Sequence, residues 1–159
     1  MHNNNNNKEY HYTFLRHATS VFNENGTTIK DPGLSKNGIE MAKNLKGNYD
    51  YILVSCMRRT SDTYAYSLIE GDIVEYSTLC REYIGDEDHY NSMVNLMKNE
   101  KSLFESNDEF MIRMNILKEY IISKGNIYDK ILIITHYDVI KALTDKGVKN
   151  GVFVGLNKF

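Results

Sequence analysis

The chain has 159 residues, 42% of them hydrophobic and 25% charged, and a net charge of −2. That is enough length to bury a core without cross-links, and the nearly neutral balance carries no electrostatic footprint for nucleic acid or an anionic membrane surface. Two cysteines, Cys56 and Cys80, are too few for a disulfide framework, no apolar run reaches the roughly 18 residues of a membrane span, and the start lacks a signal-peptide core, so a cytoplasmic protein is expected.

The opening Met1-His2 followed by an asparagine run is low in complexity and polar. Residues 1–8 are therefore expected to form a disordered tail, with one ordered domain over 9–159. From there, β-rich apolar runs alternate with stretches of helical period, the pattern of an α/β domain. The first strand is predicted over Tyr10 to Leu15 and ends in the pair Arg16-His17. Pro32-Gly33 marks a turn, and Ser35 then caps a helix to about Leu45 with Ile39, Ala42 and Leu45 on one face. A second strand over Tyr51 to Ser55 leads into a helix over Met57 to Leu68, and Gly71-Asp72 is read as a turn before a third strand at Ile73 to Tyr76. The polar stretch from Gly85 to Ser106 holds only a short Met93 to Met97 segment that could be helical. Asn107 or Asp108 is expected to cap a helix to about Ile122. A fourth strand, Lys130 to Thr135, delivers His136, and a helix begins over Asp138 to Leu143. Val152 to Leu156 is the last strand candidate. Phe14, Ile39, Ile52, Val54, Leu117, Ile121, Ile133 and Ile140 are the expected core.

Open α/β sheets bind ligands at the carboxyl ends of their strands. Histidines at the ends of the first and fourth strands could thus face one pocket. The run Leu15-Arg16-His17-Ala18-Thr19-Ser20 with Asn23, then Asp31, Leu34, Ser35 and Gly38, then Ser55-Cys56-Met57-Arg58-Arg59-Thr60-Ser61-Asp62-Thr63, then Cys80-Arg81-Glu82 and finally Thr135-His136-Tyr137 resembles the motif series of the histidine phosphatase superfamily, the phosphoglycerate-mutase-like family. The resemblance runs from about Tyr12 to Leu143 and implies a single-domain three-layer α/β/α sandwich with a mostly parallel central sheet. The chain departs from the pattern at Ala18 and Tyr137, where the family has glycine, and at Cys56, where proline is common. Ala18 and Tyr137 add side chains beside the expected phosphate site, which leaves pocket width and substrate size open but removes no reacting group.

The resemblance implies a nucleophilic His17 that takes the phosphoryl group, Arg16 and Arg59 gripping it, His136 as a further donor to its oxygens, Glu82 as proton donor, and Asn23 either touching phosphate or shaping the loop. No metal or other cofactor is expected. These residue types suit the chemistry. Rate enhancements for phosphate-monoester hydrolysis approach 10²¹, or roughly 28 kcal/mol, which positioning and electrostatics must largely supply. An arginine fork holds paired phosphoryl oxygens and keeps its charge, and neighbouring guanidinium groups favour the neutral imidazole that attack requires. Arginines close to Glu82 favour its ionised form, so an occupied pocket or desolvation has to restore its proton affinity. An acid-shifted optimum follows for poor leaving groups.

Spacing alone leaves Arg58 as an alternative to Arg59, and Asp86 or Glu87 as alternatives to Glu82. Tyr83, Tyr90 and Tyr137 are read equally as packing or as pocket lining. Cysteine-phosphatase chemistry needs an arginine six residues after the nucleophile, where this chain has Asp62 and Asp86. No Gly-rich phosphate loop ending in Gly-Lys-Ser/Thr is present, and no histidine or cysteine pair has metal-ligand spacing. The short segment between Glu82 and the fourth strand favours hydrolysis over mutase-type transfer, and Glu82 favours a small phosphorylated metabolite or sugar phosphate over a phosphohistidine protein. A binding module that holds a phosphorylated ligand without turnover is the alternative of a different class. The substrate's identity and the oligomeric state are not legible.

Overall fold

The run Ile131-Leu132-Ile133-Ile134-Thr135 is buried at every position, on both of its faces, which places it inside a sheet covered on both sides. The computed structural model describes residues 9–27, 31–85 and 104–159. Its strands are β1 (Tyr12–Arg16), β2 (Lys46–Ser55), β3 (Leu68–Ser77), β4 (Ile131–Thr135) and β5 (Phe153–Leu156). They form one sheet in the order β3-β2-β4-β1-β5, parallel except for β5, which runs antiparallel to β1. The helices are α1 (Val21–Asn25), α2 (Lys36–Ala42), α3 (Arg58–Tyr66), α4 (Asn107–Gly125) and α5 (Tyr137–Thr144).

The period of 2 along each strand splits the core into two layers. Phe14, Leu53, Ile131 and Ile133 meet Phe110, Met114, Leu117 and Ile121 of α4 and Val139 and Ile140 of α5. The spacing of those α4 residues is that of one helix face. Leu15, Ile52, Val54, Leu132 and Ile134 form the other layer with Leu45, Ile69 and, from α3, Tyr64. Helix α2 packs beside α3 and buries Ala42 against Ala18 and Leu34. The expected three-layer α/β/α arrangement with a mostly parallel sheet is what the chain adopts.

Several expectations are corrected. Gly71-Asp72 is no turn: β3 begins at Leu68, directly after α3 ends at Tyr66 with Ser67 as its cap, and pairs with β2 from Lys46↔Leu68 to Ser55↔Ser77. Gly71 sits in this ladder because a Cβ there would lie 2.5 Å from Cδ1 of Ile52, so glycine marks close packing across the pair. Helix α2 stops at Ala42, short of Leu45, and Ile39 is only partly buried. The cap of α4 is Ser106, whose hydroxyl accepts from the Glu109 N–H while Glu109 accepts from the Ser106 N–H. This Ser-x-x-Glu capping box makes Asn107 and Asp108 helical. Helix α1 was not expected; Ser20 and Asn23 form a reciprocal cap at its start. The tail over 1–8 and the Met93 to Met97 segment lie outside the described residues. Among the described residues no helix is long and apolar enough to cross a membrane.

The glycine of the Leu34-Ser35-x-x-Gly38 motif has a specific packing reason. The Ser35 N–H and hydroxyl both donate to the Thr19 carbonyl, at 3.0 and 3.2 Å, so the start of α2 holds the loop that follows Arg16-His17. A Cβ on Gly38 would lie 1.8 Å from that same carbonyl oxygen, which is backbone and cannot swing away. Gly38→Ala is expected to destabilise the fold by about 2–3 kcal/mol. In urea denaturation the control Asn37→Ala, at an exposed position of the same helix, should stay within about 0.5 kcal/mol of wild type.

Candidate functional site

The pairing of β1 with β4 builds the site. Arg16 lies opposite Thr135 in this parallel ladder, so the next residues, His17 and His136, emerge side by side. The His17 N–H donates to the Thr135 carbonyl at 3.1 Å, and the two imidazole centroids are 5.3 Å apart. On the other side of β4, strand β2 brings Ser55 to the same level, where its Oγ lies 2.8 Å from Nε2 of His136. His136 is also the N-cap residue of α5, so the expected helix does start there.

Helix α3 supplies the buried cation. Its N-cap, Met57, offers no side-chain cap; instead the Asp31 carboxylate accepts the Arg58 N–H at 3.0 and 3.2 Å. Asp31 has a backbone φ of 47°, outside the ordinary range for a residue with a side chain, and burial raises its pKa against the opposing pull of that hydrogen bond. One turn further on, the Thr63 hydroxyl donates to the Arg59 carbonyl and accepts the Ala18 N–H at 2.9 Å, tying α3 to the loop that carries His17. Arg58 points outward to Asp62, whereas the Arg59 side chain is only 2% exposed. Position therefore separates the two arginines that spacing could not.

Arg59 meets Glu82 in a close ion pair, and its Nε donates to Nδ1 of His136 at 3.4 Å. A guanidinium N–H can only donate, so neutral His136 accepts at Nδ1 and donates from Nε2 to Ser55. Both ring nitrogens of His136 are thus engaged within the protein. His17 differs. Its Nδ1 faces the Ala18 carbonyl at 2.7 Å, an acceptor, so the proton sits on Nδ1 and the Nε2 lone pair is the one available for attack. Burial lowers the His17 pKa to about 3, with the Arg59 charge reinforcing the effect, and burial followed by Arg59 likewise lowers that of His136. Arg16 donates from Nη1 to the Val148 carbonyl at 2.9 Å and lies over the Tyr137 ring, 5.3 Å from its centroid. Its Nε is buried with no hydrogen-bond partner among the described residues. A buried donor left in this state favours an acceptor, and an anion between the arginines would supply one.

The structure brings Arg16, His17, Arg59, Glu82 and His136 together. Asn23 has the contacts of the loop-shaping alternative: its carboxamide oxygen accepts from the Ser20 N–H and hydroxyl and from Asn150, whose Nδ2 also donates to the His17 carbonyl. Ala18 is buried against Leu34 and Ala42, while Tyr137 lies against Arg16. Tyr83 packs on Phe110. Asp86, Glu87 and Tyr90 lie outside the described residues. Ser55 and Asn150 went unassigned: Ser55 is visible only as the first residue of a motif, and Asn150 follows the last motif on a loop. A cleft of about 490 Å³ at the opposite end of the sheet, lined by Thr13, Tyr49, Lys46 and Lys130 among others, contains none of the expected site residues. Among the described residues no cluster of His, Cys, Asp or Glu is placed to hold a metal ion.

No family model and no curated protein matches the sequence. Solved structures do. The alpha-ribazole phosphatase of Shigella flexneri is similar over 89% of this chain and 87% of its own, at 20% identity and a TM-score of 0.66. The phosphoserine phosphatase of Entamoeba histolytica, solved with 3-phosphoglyceric acid, covers the same shares at 20% identity and a TM-score of 0.60. A mycobacterial glucosyl-3-phosphoglycerate phosphatase, in complex with VO3, covers 91% of this chain and 90% of its own at 17% identity and a TM-score of 0.57. The fold is the one these phosphatase structures share. At these identities the likeness concerns the backbone, and the arrangement of side chains described above is this chain's own.

The lowered His17 pKa has a consequence for stability. The unfolded chain takes up a proton near pH 6.5 while the folded site refuses it until about pH 3. Between those values the unfolded state binds more protons, so stability falls as pH falls, and His136 acts in the same direction. His17 alone is expected to remove roughly 2 kcal/mol between pH 7 and pH 5. Urea unfolding in phosphate-free buffer should show wild type losing more stability over this interval than His17→Asn. Equal losses would mean that His17 is not held neutral.

Proposed function

We propose that the protein is a metal-independent phosphatase that hydrolyses a phosphate monoester through a phosphohistidine on His17. The observation that carries this reading is a neutral, buried imidazole with its Nε2 lone pair available beside buried Arg59, with Glu82 on that same guanidinium. In the proposed reaction Arg16 and Arg59 hold the phosphoryl oxygens and Nε2 of His17 attacks phosphorus as the ester P–O bond breaks. Glu82 gives its proton to the departing oxygen. Water then attacks the phosphohistidine, with Glu82 taking the proton, and inorganic phosphate leaves.

The resting Arg59–Glu82 pair fits this sequence. A phosphoryl group entering the site competes with the carboxylate for the guanidinium, and the negative charge it brings favours protonated Glu82, the form required of the acid. His136 is cast as a partner of the same group. When the phosphoryl oxygens draw Arg59 away, the Ser55 hydroxyl can reverse and donate to Nε2, leaving Nδ1–H to face an oxygen. Asn23 then acts on the loop, through Ser20 and Asn150, and not on phosphate. The substrate class favoured is a small phosphorylated metabolite, in keeping with the phosphorylated small molecules named for the neighbouring structures.

The test is phosphate release from a panel of alkyl and aryl phosphates, an acyl phosphate and phosphohistidine, with chelator present. Wild type should turn over at least one ester, and His17→Ala should lower kcat/KM by roughly 10⁴-fold or more. Glu82→Gln should cost about 10²-fold or more on an alkyl phosphate but within about tenfold on p-nitrophenyl phosphate, whose leaving group needs no proton. Hydrolysis that survives His17→Ala, or that vanishes with chelator, would sink the proposal.

A further inference from the structure

We infer that Arg113, on α4, is a positioning residue that aims Glu82 at the leaving group, acting with Glu105 and Arg81; the inference rests on the phosphatase reading and concerns residues that reading does not use. Strand β3 ends at Ser77, and the segment that follows, which bears Glu82, belongs to no helix or strand. The main-chain carbonyls of residues 79 to 82 are nonetheless satisfied, and by side chains. Arg113 Nη1 donates to the carbonyls of Leu79 at 2.7 Å and Arg81 at 2.9 Å, and its Nη2 donates to that of Glu82 at 3.4 Å. The intervening Cys80 carbonyl accepts the Thr135 hydroxyl at 2.6 Å, directly before His136. Arg81 Nη1 adds a bond to the Glu82 carbonyl at 3.1 Å.

The Glu105 carboxylate completes the device. It accepts from Arg113 Nε at 3.0 and 3.2 Å and from Nη2 at 2.5 Å, and it pairs with Arg81 at 3.3 Å. The guanidinium of Arg113 thus presents its fork to a carboxylate on one edge and to the loop's carbonyls on the other. Lysine keeps the charge but has no planar fork to reproduce this pattern. The side chains of Arg113, Arg81 and Glu105 are 11%, 11% and 6% exposed. Burying ions is an expensive way to gain stability alone, since well-packed apolar side chains serve as well or better. What the triad supplies is direction. Together with Thr135 on Cys80, it fixes successive peptide planes at residues 79 to 82, and with them the bond from which the Glu82 side chain departs toward Arg59.

A role in aiming a proton donor and a role in general stability differ in one measurable way. A displaced general acid hurts esters in proportion to how badly the leaving oxygen needs a proton, whereas partial unfolding lowers every rate alike. Arg113→Lys is expected to lower kcat/KM for an alkyl phosphate by about 30-fold or more and for p-nitrophenyl phosphate by less than about threefold. It should also weaken the acid dependence of the alkyl reaction. In the Glu82→Gln background the same change should cost the alkyl ester almost nothing, because the group being aimed is gone. Glu105→Gln, which keeps volume, is read in the same way should Arg113→Lys fail to fold. Equal losses on both esters, or full additivity with Glu82→Gln, overturn the inference while the phosphatase reading stands. A wild type inert toward every ester overturns both.

Discussion

The constraint on which the site depends is the register of a parallel ladder between segments more than a hundred residues apart in the chain. Arg16 opposite Thr135 brings His17 beside His136, and the same central strand, on its other edge, levels Ser55 with them. Because successive strand residues face opposite sides of a sheet, a slip by one position would send the reacting side chains to opposite faces. That register is held by burial: Phe14 and Ile133 must enter one core layer while Leu15 and Ile134 enter the other. The apolar pattern that makes the core is therefore also what aligns the chemistry.

On this frame the charges are arranged so that the imidazoles are the groups that give way. A guanidinium keeps its charge, and burial together with Arg59 keeps His17 and His136 neutral. Glu82 pairs directly with Arg59 and acts on Arg16 through its charge, while the buried Nε of Arg16 has no hydrogen-bond partner among the described residues. Long-range hydrogen bonds hold the pieces in place: Asp31 caps the helix of Arg59, Thr63 ties that helix to Ala18, and Asn150 bonds the His17 carbonyl.

What could be read from the letters followed the strength of local signals. β4 is legible because a strand buried on both faces is apolar throughout, and α4 because Phe110, Met114, Leu117 and Ile121 repeat at helical spacing. β3 is an edge strand whose Leu68, Ile73 and Tyr76 are exposed. Its pattern is accordingly weak, and Gly71, read as punctuation, is a packing glycine against Ile52. Ser106 and Glu109 did carry a capping-box signal, which outweighs the choice of Asn107 or Asp108, and the Ser20 and Asn23 pair marks α1 in the same way. Among the residues gathered at the candidate site, Arg16, His17, Arg59, Glu82 and His136 stand out by motif order, while the choice between phosphate contact and loop shaping for Asn23 does not, because its partner Asn150 lies 127 residues further along the chain.

The amino-acid sequence alone thus determined the alternation of strands and helices, the residues at the carboxyl ends of β1 and β4, and the types of group available for phosphoryl chemistry. These depend on local periodicity and on side-chain identity, which are properties of the chain. Only the tertiary structure decided which of Arg58 and Arg59 is buried, which nitrogen of His17 keeps the proton, and how Arg113 reaches back to the carbonyls that precede Glu82. Those outcomes depend on solvent exclusion and on contacts between distant segments, and neither exists until the sheet has closed its two layers.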